Sequence, residues 1–152
     1  MKIRHICIAT DLSEESQRPF DSMAELARDN GATITLLNVV QDFRIAPHGA
    51  PLAPPFSGEN LGKEAEAARE GLAKLREKLP ADIEVRTDVA THEIIAKGIA
   101  NYAKKNDVDL LAISTHGRTG FRHFILGSVA EEVLRHANLP VLCFPRSEGD
   151  DE

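Results

Sequence analysis

The sequence predicts an α/β fold in which five strands form an open, mostly parallel sheet with helices on both faces. Short apolar, β-branched runs alternate along the chain with segments whose apolar residues recur at helical spacing. Alternation that continues from the first run to the last is typical of βαβ units. The 152 residues fit one domain, which we expect to span 1–146 and to be followed by an acidic tail at 147–152.

The first third of the chain predicts a strand, a helix and a second strand. Residues 3–10 form a short apolar run that we interpret as a buried strand. Pro19 fits only the first turn of the following helix, because deeper in a helix proline removes a hydrogen bond, and Gly31 ends the helical pattern. Residues 32–40 predict the second strand. The apolar residues that mark the helix are Phe20, Met23, Ala24 and Ala27.

A long loop is predicted next, at residues 42–62. This segment contains four prolines and three glycines, and loops of such length in compact domains are usually functional lids or disordered. Residues 64–79 are rich in Ala, Glu, Lys, Arg and Leu and predict a helix that ends before Pro80. Apolar and polar residues alternate at 83–89, which predicts a half-exposed strand near an edge of the sheet.

The last third of the chain continues the alternation. Apolar residues at helical spacing predict a helix from Ile94 into the charged segment 104–107, and residues 110–113 form a continuous apolar strand. Residues 129–136 predict the fourth helix, and residues 141–144 predict the final strand. Four helices thus separate five strands, with the long loop before the second helix.

Charge and cysteine content narrow the class of protein. Twenty-four acidic and 18 basic residues give a net charge of −6, which argues against a nucleic-acid-binding domain, since such domains are usually basic. Cys7 and Cys143 lie in apolar runs, so we interpret both as buried, unpaired core thiols. The N-terminal apolar run is too short for a signal peptide, and no run approaches the roughly 18 apolar residues of a membrane span. We expect a cytoplasmic protein whose partner is a small molecule or another protein.

Residues 114–128, STHGRTGFRHFILGS, are the most informative stretch. A loop of small residues joins an apolar strand to a helix that begins at Gly127 and Ser128, and such a junction brings backbone N–H groups and the positive end of a helix together. It favours phosphate binding, although an ordinary helix start with Ser128 as its cap fits the same residues. The stretch has neither the lysine of a P-loop nor the spacing of a dinucleotide-binding fingerprint. Nucleotide binding of another type is the leading hypothesis.

These residues give the chain a resemblance to the universal stress protein family. The resemblance runs from KIRHICIATDLSEES through LLNVV to STHGRTGFRHFILGSVAEEVLRHANLPVLCFP. Nucleotide-binding members carry a glycine, two residues, a second glycine, nine residues, and a final glycine followed by Ser or Thr. In this sequence the second glycine is Gly117, the spacer is 118–126 and the final pair is Gly127 and Ser128, whereas the first position holds Ser114. The resemblance implies a Rossmann-like fold of the adenine nucleotide alpha hydrolase type.

The resemblance also implies roles for individual residues. Asp11, at the end of the first strand, would contact the nucleoside, and Val39, at the end of the second, would touch the adenine. Ile113 would line the base pocket. The phosphates would be held by Gly117, Gly127, Ser128 and Val129. The complete set of candidate nucleotide-binding residues is Thr10, Asp11, Val39, Ile113, Ser114, His116, Gly117, Arg118, Gly127, Ser128 and Val129. No catalytic residue and no resident metal site is predicted.

Several of these positions carry alternatives. If position 114 needs a left-handed backbone, Ser114 costs about 1–2 kcal/mol; if it needs only a small side chain, serine costs little and its hydroxyl can donate to a phosphate. Arg118 either reaches a phosphate or belongs to a solvated basic loop. His116 is interpreted as a loop histidine with local hydrogen bonds rather than as an acid or base. A Mg²⁺ ion would accompany a triphosphate, with Asp11 or Ser128 as a protein ligand.

The function that the resemblance implies is a stress-response regulator that binds ATP, or AMP or another adenine nucleotide, at the carboxyl ends of the strands. Nucleotide occupancy would order the loop at 42–62 and thereby change a surface for an unknown regulatory protein partner. The resemblance also implies a homodimer through the strand 141–144, since in the family this strand pairs with its symmetry mate, and an exposed apolar edge needs covering. Two alternatives stay open. One is a nucleotide-free dimeric adaptor in which Ser114 marks a lapsed site, and the other is a slow ATP hydrolase, for which only His116 or Asp11 is available as a base.

Overall fold

The computed structural model describes residues 1–43, 58–115 and 126–146. In these ranges the chain forms five strands and four α-helices that alternate in the predicted order. They are β1 (His5–Ala9), α1 (Phe20–Asn30), β2 (Thr33–Gln41), α2 (Gly58–Arg76), β3 (Val85–His92), α3 (Ile95–Lys105), β4 (Leu110–Ser114), α4 (Ser128–His136) and β5 (Val141–Phe144). A 3₁₀ turn at Glu15–Gln17, which the sequence did not predict, precedes α1. Over the part of the chain that the structure describes, no helix is long and apolar enough to cross a membrane.

All five strands pair in parallel, in the order β3-β2-β1-β4-β5. The chain builds β2 and β3 on one side of β1 and then crosses over to build β4 and β5 on the other side. The predicted open parallel sheet is therefore confirmed. In sheets of this kind ligands bind outside the carboxyl ends of the strands, where the strand order reverses. Here that place is the crevice between β1 and β4.

Alternate residues of each strand point to opposite faces of the sheet, and two helices cover each face. Ile6 and Ile8 of β1 belong to a core with α1 and α2, whereas Cys7 and Ala9 belong to a core with α3 and α4. These four side chains are at most 5% exposed. Near-continuous apolar strands are typical of parallel sheets that are buried on both faces. The residues predicted to mark the first helix are the ones that α1 buries: Phe20, Met23, Ala24 and Ala27.

Two elements have bounds that differ clearly from the predicted ones. α2 occupies Gly58–Arg76 rather than 64–79, so the loop predicted at 42–62 ends by residue 57, and residues 44–57 lie outside the described part of the chain. Lengthening an anchored helix costs little, because each further residue adds one hydrogen bond. β3 occupies Val85–His92 rather than 83–89, because its parallel pairing with β2 continues as far as Gln41. It is nevertheless an edge strand, as predicted.

The two cysteines differ from each other. Cys7 is fully buried, and burial raises the pKa of its thiol to about 12, so it is a core side chain as predicted. Cys143 is only half-buried, because it lies on β5, the other edge of the sheet, which has a single neighbouring strand. The prediction of a buried thiol is therefore wrong for Cys143. The predicted acidic tail at 147–152 lies outside the described residues.

Candidate functional site

A cleft of about 280 Å³ opens at the carboxyl ends of β1, β2 and β4. Residues at or near the ends of these strands line it, together with the loop after β1, the first turns of α3 and the first turn of α4. Its volume lies just below the roughly 300–1,000 Å³ that is usual for small-molecule sites. The cleft coincides with the crevice between β1 and β4, where a parallel sheet of this order is expected to bind a ligand.

One part of the cleft is apolar. Leu37 and Val39 of β2 and Ile113 of β4 line it from the sheet and are at most 8% exposed. Ile95 and Ile99 line it from α3, and their spacing of four residues puts them on one face of that helix. Most of these side chains are β-branched and therefore stiff. We call this part the apolar slot; it has apolar walls on two sides, the sheet and α3.

The hydroxyl groups of the loop after β1 form a chain of hydrogen bonds in which the donor and the acceptor of each bond can be assigned. Ser16 Oγ donates to Ser13 O at 2.7 Å, so Thr10 is the donor in the 2.6 Å hydrogen bond between Thr10 Oγ1 and Ser16 Oγ. Thr10 Oγ1 also accepts from the N–H of Leu12 at 3.0 Å. Both hydroxyl hydrogens are thus used within the loop. Toward the cleft, which Thr10 and Ser16 line, these two oxygens can only accept hydrogen bonds.

Asp11 adds a carboxylate to the same side of the cleft. Its Oδ1 accepts hydrogen bonds from the N–H and the hydroxyl of Ser13, the pattern of an Asx turn. The next residue, Leu12, has a left-handed backbone with φ of 70°. Its side chain packs over Gly71 of α2, where an added Cβ would lie 2.9 Å from Leu12 Cδ1. The turn that carries Asp11 therefore packs against α2 through the side chain of Leu12.

α4 meets the cleft with its N-terminal turn. Gly127 is the N-cap residue, and its N–H donates to Thr115 O at 2.7 Å. Ser128, Val129 and Ala130 follow it along the cleft. The N–H groups in the first turn of a helix have no partner within the helix, and the positive end of the helix dipole adds to them. This side of the cleft therefore offers hydrogen-bond donors and a positive potential.

The structure places eight of the eleven candidate residues around the cleft: Thr10, Asp11, Val39, Ile113, Ser114, Gly127, Ser128 and Val129. The other three, His116, Gly117 and Arg118, lie outside the described residues. Ser114 is the last residue of β4 and pairs with Phe144 of β5. It is not among the residues with positive φ, so the backbone strain considered for a serine at this position does not arise.

Sequence reasoning missed several lining residues. Asn38 lies in the apolar run of β2, where its side-chain amide donates to Thr10 O at 2.9 Å; a polar residue inside a buried strand was the available signal. Ser16 lies in the unpredicted 3₁₀ turn. Ile95 and Ile99 were recognised as part of a helix, but nothing in the local sequence indicated that they reach the cleft. The other missed residues are Ala9, Leu37, Thr115 and Ala130.

Asp11 is the one charged side chain among the described lining residues. Within residues 1–43, 58–115 and 126–146, no group of three or more His, Cys, Asp and Glu is placed to hold a metal ion. Mg²⁺ in nucleotide sites commonly takes one or two carboxylates and completes its shell with phosphate oxygens and water. A single carboxylate would therefore suit a Mg²⁺ ion only together with oxygens that a ligand and water supply.

Comparison with known proteins leads to one family. The model of the universal stress protein family matches residues 2–145. Universal stress protein A homolog 1 of Coxiella burnetii is 33% identical over 146 residues, which cover 93% of this chain and 96% of that protein. Universal stress protein MJ0531 of Methanocaldococcus jannaschii is 29% identical over 139 residues, which cover 91% of this chain and 80% of that protein.

Solved structures share the fold. The structure of hypothetical protein MJ0577 has a TM-score of 0.81 at 23% identity and covers 98% of this chain and 100% of its own. A universal stress protein solved in complex with cAMP has a TM-score of 0.58 at 19% identity, covering 95% of this chain and 98% of its own. A universal stress protein from Archaeoglobus fulgidus, solved in complex with dAMP, has a TM-score of 0.61 at 21% identity, covering 94% and 98%. At such identities these structures show a common fold and no more.

Proposed function

Because the chain belongs to the universal stress protein family, we propose that it binds ATP, together with Mg²⁺, in the cleft and acts as a nucleotide-dependent regulator of a stress response. The observation that carries the proposal is that three different surfaces lie next to one another along the cleft. The apolar slot accommodates a flat ring. Thr10 and Ser16 offer oxygens that only accept hydrogen bonds, which favours ligand hydroxyl groups over phosphates. The first turn of α4 offers donors to an anion.

A ring, hydroxyl groups and an anion within one molecule describe a nucleoside phosphate. Two neighbours of the same fold support adenine as the ring, since one was solved with cAMP and the other with dAMP. For ATP, we propose that Gly117 and Arg118 contact the outer phosphates and that Asp11 or Ser128 takes part in holding Mg²⁺. His116 completes the proposed set as a residue with local hydrogen bonds rather than as a catalyst.

We propose that occupancy of the cleft, rather than turnover of the nucleotide, is the signal. General acid–base or nucleophilic catalysis needs a titratable group with a second group positioned beside it. Among the described lining residues Asp11 is the one such group, and its Oδ1 is already engaged by Ser13. The output would be a surface that a regulatory protein recognises, and we place this activity in the cytoplasm.

The proposal includes a homodimer paired through β5. This strand is an edge of the sheet, and its Leu142 is 41% exposed. On the neighbouring helix α4, Val129 and Leu134 are 38% and 44% exposed. An edge strand with unpaired backbone groups and apolar side chains needs a cover. A second copy related by a two-fold axis would supply it with the same residues.

Calorimetric titration and thermal unfolding with ATP, AMP and GTP, each with and without Mg²⁺, test the nucleotide proposal. ATP at a hundredfold excess over its Kd is expected to stabilise the protein by about 2.7 kcal/mol. GTP is expected to bind more weakly, because we propose that the apolar slot holds adenine rather than guanine. No heat and no thermal shift at millimolar nucleotide would refute the proposal.

Two further measurements separate the alternatives. Mass spectrometry of protein purified without added ligand is expected to find an adenine nucleotide, and this finding excludes a nucleotide-free adaptor. Phosphate release from ATP is expected to equal that of buffer. Release above that level would favour a slow hydrolase and would overturn the proposal that occupancy alone is the signal.

A further inference from the structure

The position of α3 over the sheet depends on a glycine that lies outside the predicted motif. A Cβ added to Gly98 would lie 2.7 Å from Val39 Cγ1 and 2.8 Å from His92 Cβ. Real Cβ atoms do not approach other atoms this closely, and both neighbours are stiff: Val39 is β-branched, and the Cβ of His92 is fixed by its backbone. Gly98 therefore lets the α3 backbone rest directly on Val39, a residue of the apolar slot.

His92, the last residue of β3, holds the start of α3 in this place. Its Nδ1 accepts a hydrogen bond from the N–H of Ile94 at 3.0 Å, and the side-chain amide of Asn101 lies 3.4 Å from its Nε2. The imidazole thus lies along the first two turns of α3, over Gly98. The imidazole therefore connects the end of β3 with the helix whose Ile95 and Ile99 line the slot.

The backbone around His92 is in turn bound to the end of β2. The N–H of Asp42 donates to His92 O at 3.0 Å, and the side-chain amide of Gln41 donates to Glu93 O at 2.9 Å. The end of β2, the end of β3 and the start of α3 are therefore one connected unit. We call His92 and Gly98, with these bonds, the clasp.

We propose that His92 is a positioning residue that, together with Gly98, sets the distance between α3 and the sheet in the apolar slot. This distance determines how closely the slot contacts both faces of a ring, and close contact favours a purine over a pyrimidine because a purine has the larger faces. The inference rests on the proposed nucleotide function and deepens it. His92 is not among the lining residues, so it acts through α3 and not by touching the ligand. The slot is closed from above by Ile95 and Ile99, and a rise of α3 would loosen the contact of a flat ring on both of its faces.

Four variants separate the parts of the clasp. His92→Asn keeps an acceptor for the N–H of Ile94, since an Asn side chain bonds the backbone two residues on. His92→Leu keeps the bulk of the side chain and loses the acceptor. Gly98→Ala introduces the clash with Val39. Gly62→Ala on α2 is the matched control, because a Cβ there meets nothing within 4 Å.

The experiment measures the affinities of each variant for ATP and CTP with Mg²⁺, at a temperature where all variants are fully folded. His92→Leu and Gly98→Ala are expected to weaken ATP binding about tenfold and to reduce the ratio of ATP to CTP affinity. His92→Asn and Gly62→Ala are expected to keep the native ratio. If His92 were needed only for folding, His92→Leu would lower the unfolding temperature but would leave the ratio of ATP to CTP affinity unchanged. His92→Asn would then have no loss of selectivity to restore.

The results also keep the two proposals apart. An unchanged ratio in His92→Leu, or a native chain that binds ATP and CTP equally, would overturn the clasp and leave nucleotide binding intact. A native chain that binds neither nucleotide would overturn the proposed function. In that case the hydrogen-exchange rate of the Gly98 amide, whose N–H donates to Ile94 O at 3.0 Å, tests whether His92 holds the start of α3. Faster exchange in His92→Leu than in His92→Asn supports this role of His92, and equal exchange refutes it.

Discussion

The backbone of Gly127 lies against the carbonyl group of Thr115. Its N–H donates to Thr115 O at 2.7 Å, and a Cβ added to Gly127 would lie only 2.4 Å from the same oxygen. Because φ of Gly127 is −71°, the position requires space and not a left-handed backbone. The glycine therefore allows the first turn of α4 to dock on the end of β4, which brings Ser128 and Val129 to the cleft.

We predict that Gly127→Ala moves α4 away from β4 and impairs both stability and binding. Removing the close contact by backbone displacement is expected to cost about 1–3 kcal/mol of unfolding free energy and to weaken ATP binding at least tenfold, since the donors of the first turn move with the helix. Urea unfolding and calorimetric titration measure the two effects. Gly62→Ala is the control, and native affinity in Gly127→Ala would contradict the role of this contact.

Ser114 leads to the opposite prediction. It ends β4 in register with Phe144 and has no positive φ, so replacing it relieves no strain. We expect Ser114→Gly to keep ATP affinity within about threefold while lowering the unfolding free energy by about 0.5–1 kcal/mol, the cost of glycine in a strand. Titration of ATP into both proteins checks this. A tenfold gain in affinity would show that the serine opposes binding.

The fold was predictable because most strands are short apolar runs and most helices have apolar residues at helical spacing. Asp11, Val39 and Ile113 lie near the carboxyl ends of β1, β2 and β4, which are neighbouring parallel strands, so the fold alone brings them to one edge of the sheet. Their assignment as a set also needed the resemblance to a family. His92 and Gly98 had no such signal: their importance arises from a close approach between β2, β3 and α3 that no local pattern encodes.

Boundaries were harder to predict for a physical reason. Gly58 and the prolines before it indicated a loop, but the packing of Leu72 and Leu75 against the sheet anchors a helix that continues back to Gly58. Ser16 reaches the cleft only through hydrogen bonds with Thr10 and Ser13. Tertiary contacts of this kind override the propensity of a short segment.

Gly71 and Gly62 of α2 form a natural pair for testing the contact with Leu12. Alanine at Gly62 meets nothing within 4 Å and is expected to stabilise the protein by about 0.5–1 kcal/mol through helix propensity. At Gly71 the new methyl group would lie 2.9 Å from Leu12 Cδ1, which displaces that side chain and cancels the gain. Urea unfolding of the two variants measures the difference, and equal stabilisation would show that Leu12 is not held by α2.

Asp109 is predicted to contribute stability that is lost in acid. Its Oδ2 accepts from the N–H of Arg4 at 2.8 Å and of His5 at 3.0 Å. The bond from Arg4, and then that from His5, hold the pKa of this carboxyl below its usual range. The contribution is therefore complete above the ordinary pKa of an aspartate and disappears as the pH falls through the lowered value.

The variant Asp109→Ala tests this. We expect it to lower the unfolding free energy at pH 7 by about 1 kcal/mol, a modest value because the carboxyl is close to solvent. The difference from the native protein should shrink between pH 5 and the acid limit of folding, because the native carboxyl loses its charge there. Glu70→Ala, at an exposed position on α2, is the control. A difference that stays constant down to acid pH would contradict the assignment.

Leu142 provides the test of the dimer. It is 41% exposed in the middle of β5, and in the proposed two-fold pairing each β5 would cover the other. Leu142→Arg would place two like charges near the axis without disturbing the core, so we expect a folded monomer in light scattering at micromolar concentration, where the native chain is a dimer. Thr87→Arg introduces the same charge on β3, the opposite edge of the sheet, and is expected to leave the dimer intact.

A native monomer would refute the dimer outright. A dimer that survives Leu142→Arg but not Thr87→Arg would move the interface to β3.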